Sequence, residues 1–192
     1  MFAVHRHPLF RCAWAGVWAL LLAMPAGALS VVQRSFDELV ALSDLVLVGT
    51  VGELRSGYDS PDQKTIHTHI ILGDLEVVKG RLDTAQYTLR IAGGRVDDRI
   101  DVYPGLPQLR PGQRYVLFIR GNFRDFFPVV GIHQGIYQVL SDGAGREVVL
   151  PASGDAARPG LAAGQLLDTQ PETLTAFLRR IRSQLAKPTD AP

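Results

Sequence analysis

Hydrophobic and polar residues alternate through "TIHTHIIL" (65–72). Ile66, Thr68, Ile70 and Leu72 fall on one side, and Thr65, His67, His69 and Ile71 on the other. A period of two is that of a β-strand with one buried face. Gly73 interrupts the pattern and predicts a bulge that bends the strand before "LEVVKG" closes it at Gly80. Upstream, "DLVLVGTVGEL" (44–54) is apolar and β-branched, which predicts a buried strand, and the polar "RSGYDSPDQK" after it predicts a loop. "QYTLRIAGG" predicts a third strand ended by Gly93 and Gly94, and "QRYVLFIR" a fourth, launched by the Pro111-Gly112 turn. Between these two, "RVDDRIDVYPGLPQLRPG" reads as a long connection. "FFPVVGIHQGIYQVL" predicts one strand bent at Gly131 and Gly135, and "SDGAG" turns it into a short strand, "REVVL".

The period changes at the two ends. "SFDELVAL" predicts a short helix with Ser35 as N-cap and Glu38 completing a capping box. In "DTQPETLTAFLRRIRSQLAK", Leu174, Phe177, Leu178, Ile181 and Leu185 recur at helical spacing. Thr169 and Glu172 suggest a second capping box there, with Pro171 in the first turn. Short strands with Gly/Pro turns and two helices predict a mainly β chain, a small antiparallel barrel carrying a C-terminal amphipathic helix. A sandwich is the alternative; the glycines at strand bends favour the coiled barrel.

The first residues alter the composition. Arg6 and Arg11 precede an uncharged apolar run from Ala13 to Met24, then Pro25 and the small residues Ala26-Gly27-Ala28. This is the layout of a secretory signal peptide cleaved after Ala28. The run is shorter than the roughly 20 apolar residues a membrane span needs. With residues 1–28 removed, Lys+Arg falls from 20 to 18 against 19 Asp+Glu, and Cys12, the one cysteine, is lost. A nearly neutral mature chain offers no electrostatic footprint for nucleic acid. Without cysteine it has no disulfide or thiol chemistry. The expected organisation is a signal peptide over 1–28, a β-barrel domain over 29–150, an Ala/Gly/Pro-rich linker over 151–168, a helix over 169–186 docked on the barrel, and a tail over 187–192.

Candidate chemistry is sparse. His67 and His69 share a strand face, and His133 would be the third ligand a catalytic zinc needs if its strand lay alongside. No acidic partner for the pair is evident in the sequence. Asp97, Asp98 and Asp101 alternate with Arg95 and Arg99, so "RVDDRID" reads as a solvated loop rather than a calcium site. Nucleophile-elbow, metalloprotease, P-loop and dinucleotide motifs are all missing. The residues call for no cofactor. His69, Gln134 and Tyr137, polar groups on apolar strands, are the candidate binding face; the bland reading is hydrogen bonding between adjacent strands.

"SDLVLVGTV", "IHTHIILGDLEVVKG", "GQRYVLFI" and "VVGIHQGIYQV", in that order, resemble a group of exported bacterial proteins of unknown function. That group carries "A-D-x-V-V-x-G-x-V", then "Y-T-H" leading to "E-V-L-K-G", then "G-x-x-Q-G-x-Y/F". More remotely, the first two strands are similar to netrin-like domains and tissue inhibitors of metalloproteinases. The resemblance implies an OB-like barrel that binds something outside the cytoplasm, either periplasmic or extracellular. It departs at His67, where the group has Tyr, so the histidine pair is not a feature of the group. The inhibitors chelate zinc through an N-terminal cysteine that the mature chain lacks. The expectation is therefore a non-catalytic binding or interaction module without stable membrane insertion. An inhibitor or chaperone of an exported protease, and a metal-dependent enzyme using His67, His69 and His133, are the alternatives.

Overall fold

The computed structural model describes residues 32–59, 64–104, 106–152 and 171–187. The expected signal peptide, most of the linker and the end of the tail lie outside them.

Strand β1 (Leu45–Tyr58) and strand β2 (Ile66–Lys79) form a long antiparallel hairpin from Val46 opposite Lys79 to Tyr58 opposite Ile66. The predicted alternation holds: Ile66, Thr68, Ile70 and Leu72 are buried, and His67, His69 and Ile71 are half-buried. The bulge expected at Gly73 is present, since Val48 faces Glu76 while Thr50 faces Gly73. The positive φ that it requires is carried by the next residue, Asp74, at 49°. β1 also runs further than its apolar stretch suggests, reaching Tyr58 along an exposed half.

β3 (Tyr87–Ala92) pairs with the outer side of β2, and β6 (Arg114–Ile119) with the other side of β1. β7 (Ile136–Ser141), β8 (Glu147–Pro151) and the two-residue β9 (Glu172–Thr173) follow outward from β6. The seven strands lie in the order β3-β2-β1-β6-β7-β8-β9. A mainly β fold is therefore correct, but the sheet does not close into a barrel: β3 and β9 are its two edges.

Part of the missing closure is supplied by a side chain. After β6 the chain returns along the free edge of β3. There the Asn122 Oδ1 accepts from Arg90 N at 3.0 Å, and its Nδ2 donates to Thr88 O at 2.8 Å and to the Tyr87 hydroxyl at 2.7 Å. Phe126 O accepts from Ala92 N at 3.1 Å. The carboxamide acts as a single peptide unit of an absent neighbouring strand, and the segment covers an edge that would otherwise attract other strands.

β1 is apolar throughout its first half because both of its faces are covered. Val46 and Val48, with Val116 and Phe118, meet helix α1 (Phe36–Leu42) and helix α2 (Leu174–Leu185). Leu45 and Leu47, with Leu117 and Ile119, pack on the other side against Ile70, Leu72, Leu89 and Leu109. The capping box of α1 forms as expected between Ser35 and Glu38. That of α2 does not. Thr173 is the N-cap, its hydroxyl accepting from Ala176 N at 3.3 Å, while Glu172 belongs to β9 and Thr169 lies outside the described residues. The apolar stripe nonetheless docks: Leu174, Phe177, Leu178 and Ile181 are buried, and Leu185 is left exposed.

Two further differences concern connections. "RVDDRID" is a β-hairpin of β4 (Gly94–Val96) and β5 (Arg99–Asp101), turning at Asp97 with φ 51°. "FFPVVGIHQG" is a series of turns with positive φ at Gly131 and Ile132, and β7 starts only at Ile136. Among the described residues no helix is long and apolar enough to cross a membrane.

Candidate functional site

The β1–β2 hairpin brings the residue after β1 beside the start of β2, because Gly57 lies opposite His67 and Tyr58 opposite Ile66. Asp59 is thereby placed between the two histidines. Its Oδ2 lies 3.3 Å from His67 Nδ1 and its Oδ1 lies 3.5 Å from His69 Nε2. The acidic partner missing from the sequence pattern is thus present, supplied by a stretch that reads as plain loop. Arg90, opposite His69 on β3, donates from Nε to Asp59 Oδ2, from Nη1 to Phe123 O at 2.9 Å, and contacts His67 Nε2 through Nη2 at 2.8 Å. The His69 ring stacks on Phe123, with centroids 6.1 Å apart and planes at 27°.

The tautomer follows from donor chemistry. A guanidinium has no acceptor, so His67 Nε2 must offer its lone pair to Arg90, and the ring proton sits on Nδ1. That Nδ1 is buried and makes no hydrogen bond, because Asp59 is within ion-pair reach but off the N–H direction. Burial, and then the charge of Arg90, pushes the His67 pKa down; Asp59 opposes this only partly.

The arrangement does not suit a metal. Arg90 places its positive charge on both Asp59 and His67, where a cation would have to sit. His133, the expected third ligand, lies in the turn before β7. Its Nδ1 is buried without a hydrogen-bond partner, and no contact joins it to the pair among the described residues. Among the described residues no group of three or more His, Cys, Asp or Glu is arranged to hold a metal ion.

The other candidate residues have structural work elsewhere. Gln134 ties down the segment before α1, accepting from Arg34 N at 2.6 Å and donating to Val32 O at 3.1 Å. Tyr137 packs against Phe177 and Phe118, with centroids 4.7 and 5.8 Å away, and burial pushes its hydroxyl pKa up. Among the described residues no contact joins His69 to either, so the three do not form one face. Asp101 of the acidic stretch pairs with Arg99 at 3.0 Å, and the hydrogen bond from Arg99 holds its carboxyl below the usual range.

Exposed apolar side chains lie on the segment whose Phe123 stacks on His69, and on β5 and the residues after it. Phe123 and Phe126 are 55% and 51% exposed, and Ile100 and Val102 are 53% and 68% exposed. Tyr103 meets the Phe126 ring edge-on at 4.5 Å, and Phe126 O is bonded to the end of β3. The 100–103 and 123–126 segments therefore adjoin at this end of β3. Their exposed rings carry no obvious pattern in sequence, since they sit in Gly/Pro/Asp-rich connections. A recess of about 180 Å³ is lined by Arg34, Leu42, Arg120, Asp125, Phe127 and Val129.

Compared with protein-family models, curated proteins and solved structures, the chain matches none.

Proposed function

We propose that the chain is a non-catalytic interaction module that binds a protein partner outside the cytoplasm, through the end of the sheet formed by 100–103 and 123–126. The observation that carries this reading is the group of large exposed side chains there. Single exposed hydrophobics are ordinary, but neighbouring ones beside charged groups are typical of interaction surfaces. Aromatic residues and arginine are also the types enriched in interfaces, and here Phe123 is bonded to Arg90 and Tyr103 meets Phe126. In the polar cluster beside Phe123, the charge of Arg90 already sits on Asp59 and His67, which favours binding over metal-assisted catalysis. The export signal and the resemblance to exported proteins supply the compartment. On this reading the curled half, β1–β3 with β6 and the 120–128 segment, is an OB-like arrangement left open along one seam.

Co-purification from the producing cell's own envelope tests the reading. The wild-type chain is expected to retain a partner that a Phe123→Ser, Phe126→Ser variant of unchanged melting temperature does not. Equal retention by both, or no specific partner for either, would count against it.

A further inference from the structure

Resting on the interaction reading above, we propose that His67, Arg90 and the Phe123 carbonyl form an acid-released latch that sets the position of the 120–127 segment and so regulates the patch. Arg90 holds the segment at Phe123 O, and the same guanidinium is held in turn by Asp59 and by the lone pair of His67 Nε2. A proton on that nitrogen turns an acceptor into a donor and sets two positive groups at 2.8 Å. The contact cannot survive protonation, so Arg90 must move, and Phe123 O loses its donor. The covering of the β3 edge by Asn122 and Phe126 belongs to the same segment and loosens with it.

From β1 and its end come Asp59, which faces both imidazoles, and Arg55, which is opposite His69 but bound by Glu53 at 2.6 Å. β2 contributes His69, and β3 contributes Arg90. In the β4–β5 hairpin Arg99 and Asp101 pair with each other. Arg124, in the segment itself, lies 3.7 Å from Asp44. Of the two histidines only His67 sets a ring nitrogen against the Arg90 guanidinium; the His69 Nε2 lies 3.5 Å from Asp59 Oδ1.

The test is amide hydrogen exchange of Arg90 and Ala92 by nuclear magnetic resonance, corrected for intrinsic rates, in the full mature domain without any partner. Between about pH 7.5 and 5, the range in which histidine titrates, protection of both amides should fall about fivefold, the fold-change from losing one hydrogen bond. His67→Gln, whose side-chain oxygen accepts at every pH, should flatten the change, and His69→Gln should keep it. In the wild type, the midpoint should follow the His67 ring titration. No fall in the wild type, an equal fall in His67→Gln, or a midpoint that follows His69 would each overturn the latch. Because no partner is present, a flat profile refutes the latch alone, whereas failed co-purification with a normal profile refutes the interaction reading alone.

Discussion

At the residue scale, the polar groups that matter most are those with two partners. Asn122 has three hydrogen bonds to β3 and its neighbours, and Asn122→Ala removes all of them while leaving the Arg90 N–H and Thr88 carbonyl without protein partners. At a net 0.5–1.5 kcal/mol for each of the three bonds, the loss should be about 1.5–4.5 kcal/mol. Urea denaturation should show a lower midpoint with an unchanged slope. The freed β3 edge should also make the variant self-associate. His67 carries a pH dependence whose sign follows from its lowered pKa. The folded state binds its proton less readily than the unfolded chain, so the contribution to stability is present above about pH 6.5 and lost as the pH falls through the lower folded value. Arg90 leads to the expectation that protein purified without chelator carries no stoichiometric zinc. Elemental analysis checks this; one zinc per chain, lost in His67→Ala, would revive the metalloenzyme alternative.

At the element scale, α2 is part of the core. Phe177 is buried against Phe36 and Phe118, with ring centroids 5.6 and 6.4 Å away, and beside Tyr137. Arg180 lies over the Phe36 ring at 3.8 Å and pairs with Glu172 at 2.9 Å, so it also joins the two helices. Phe177→Ala should cost about 3–5 kcal/mol, read by denaturant unfolding. Truncation after Asp168 should leave a chain that melts much lower or aggregates. A truncated chain that kept its melting temperature would mean the stripe is a docking face instead. Strands β1 and β2 and the α1 cap were legible because each has a local cause: a continuous apolar run in 45–48, alternation in 66–72, and a Ser/Glu box at 35 and 38. The start of α2 was not, because Thr169 and Thr173 each present a hydroxyl before the stripe, and only pairing of Glu172 with β8 decides between them.

At the scale of the whole molecule, closure and site escaped the sequence for a common reason. Whether a sheet closes depends on contacts between segments far apart in the chain, and here it turns on Asn122 meeting β3 rather than on any strand. Asp59 looked like one more polar loop residue, and only the hairpin register sets it against His67 and His69. Gln134 and Tyr137 were chosen as polar residues among apolar ones. That pattern fits their actual roles, fastening the segment before α1 and filling the space under α2, equally well. The same long-range folding sets Tyr103 against the exposed ring of Phe126, and this is the surface proposed for a partner.

Site-specific photo-crosslinking in intact cells tests that surface most directly. A photoreactive phenylalanine analogue at position 126 of the full chain would be compared with the same group at Ala144, which is exposed in the turn between β7 and β8. The account predicts one discrete crosslinked protein at position 126, abolished by Phe123→Ser, and none at position 144. No adduct at 126, or the same adducts at both positions, would contradict it.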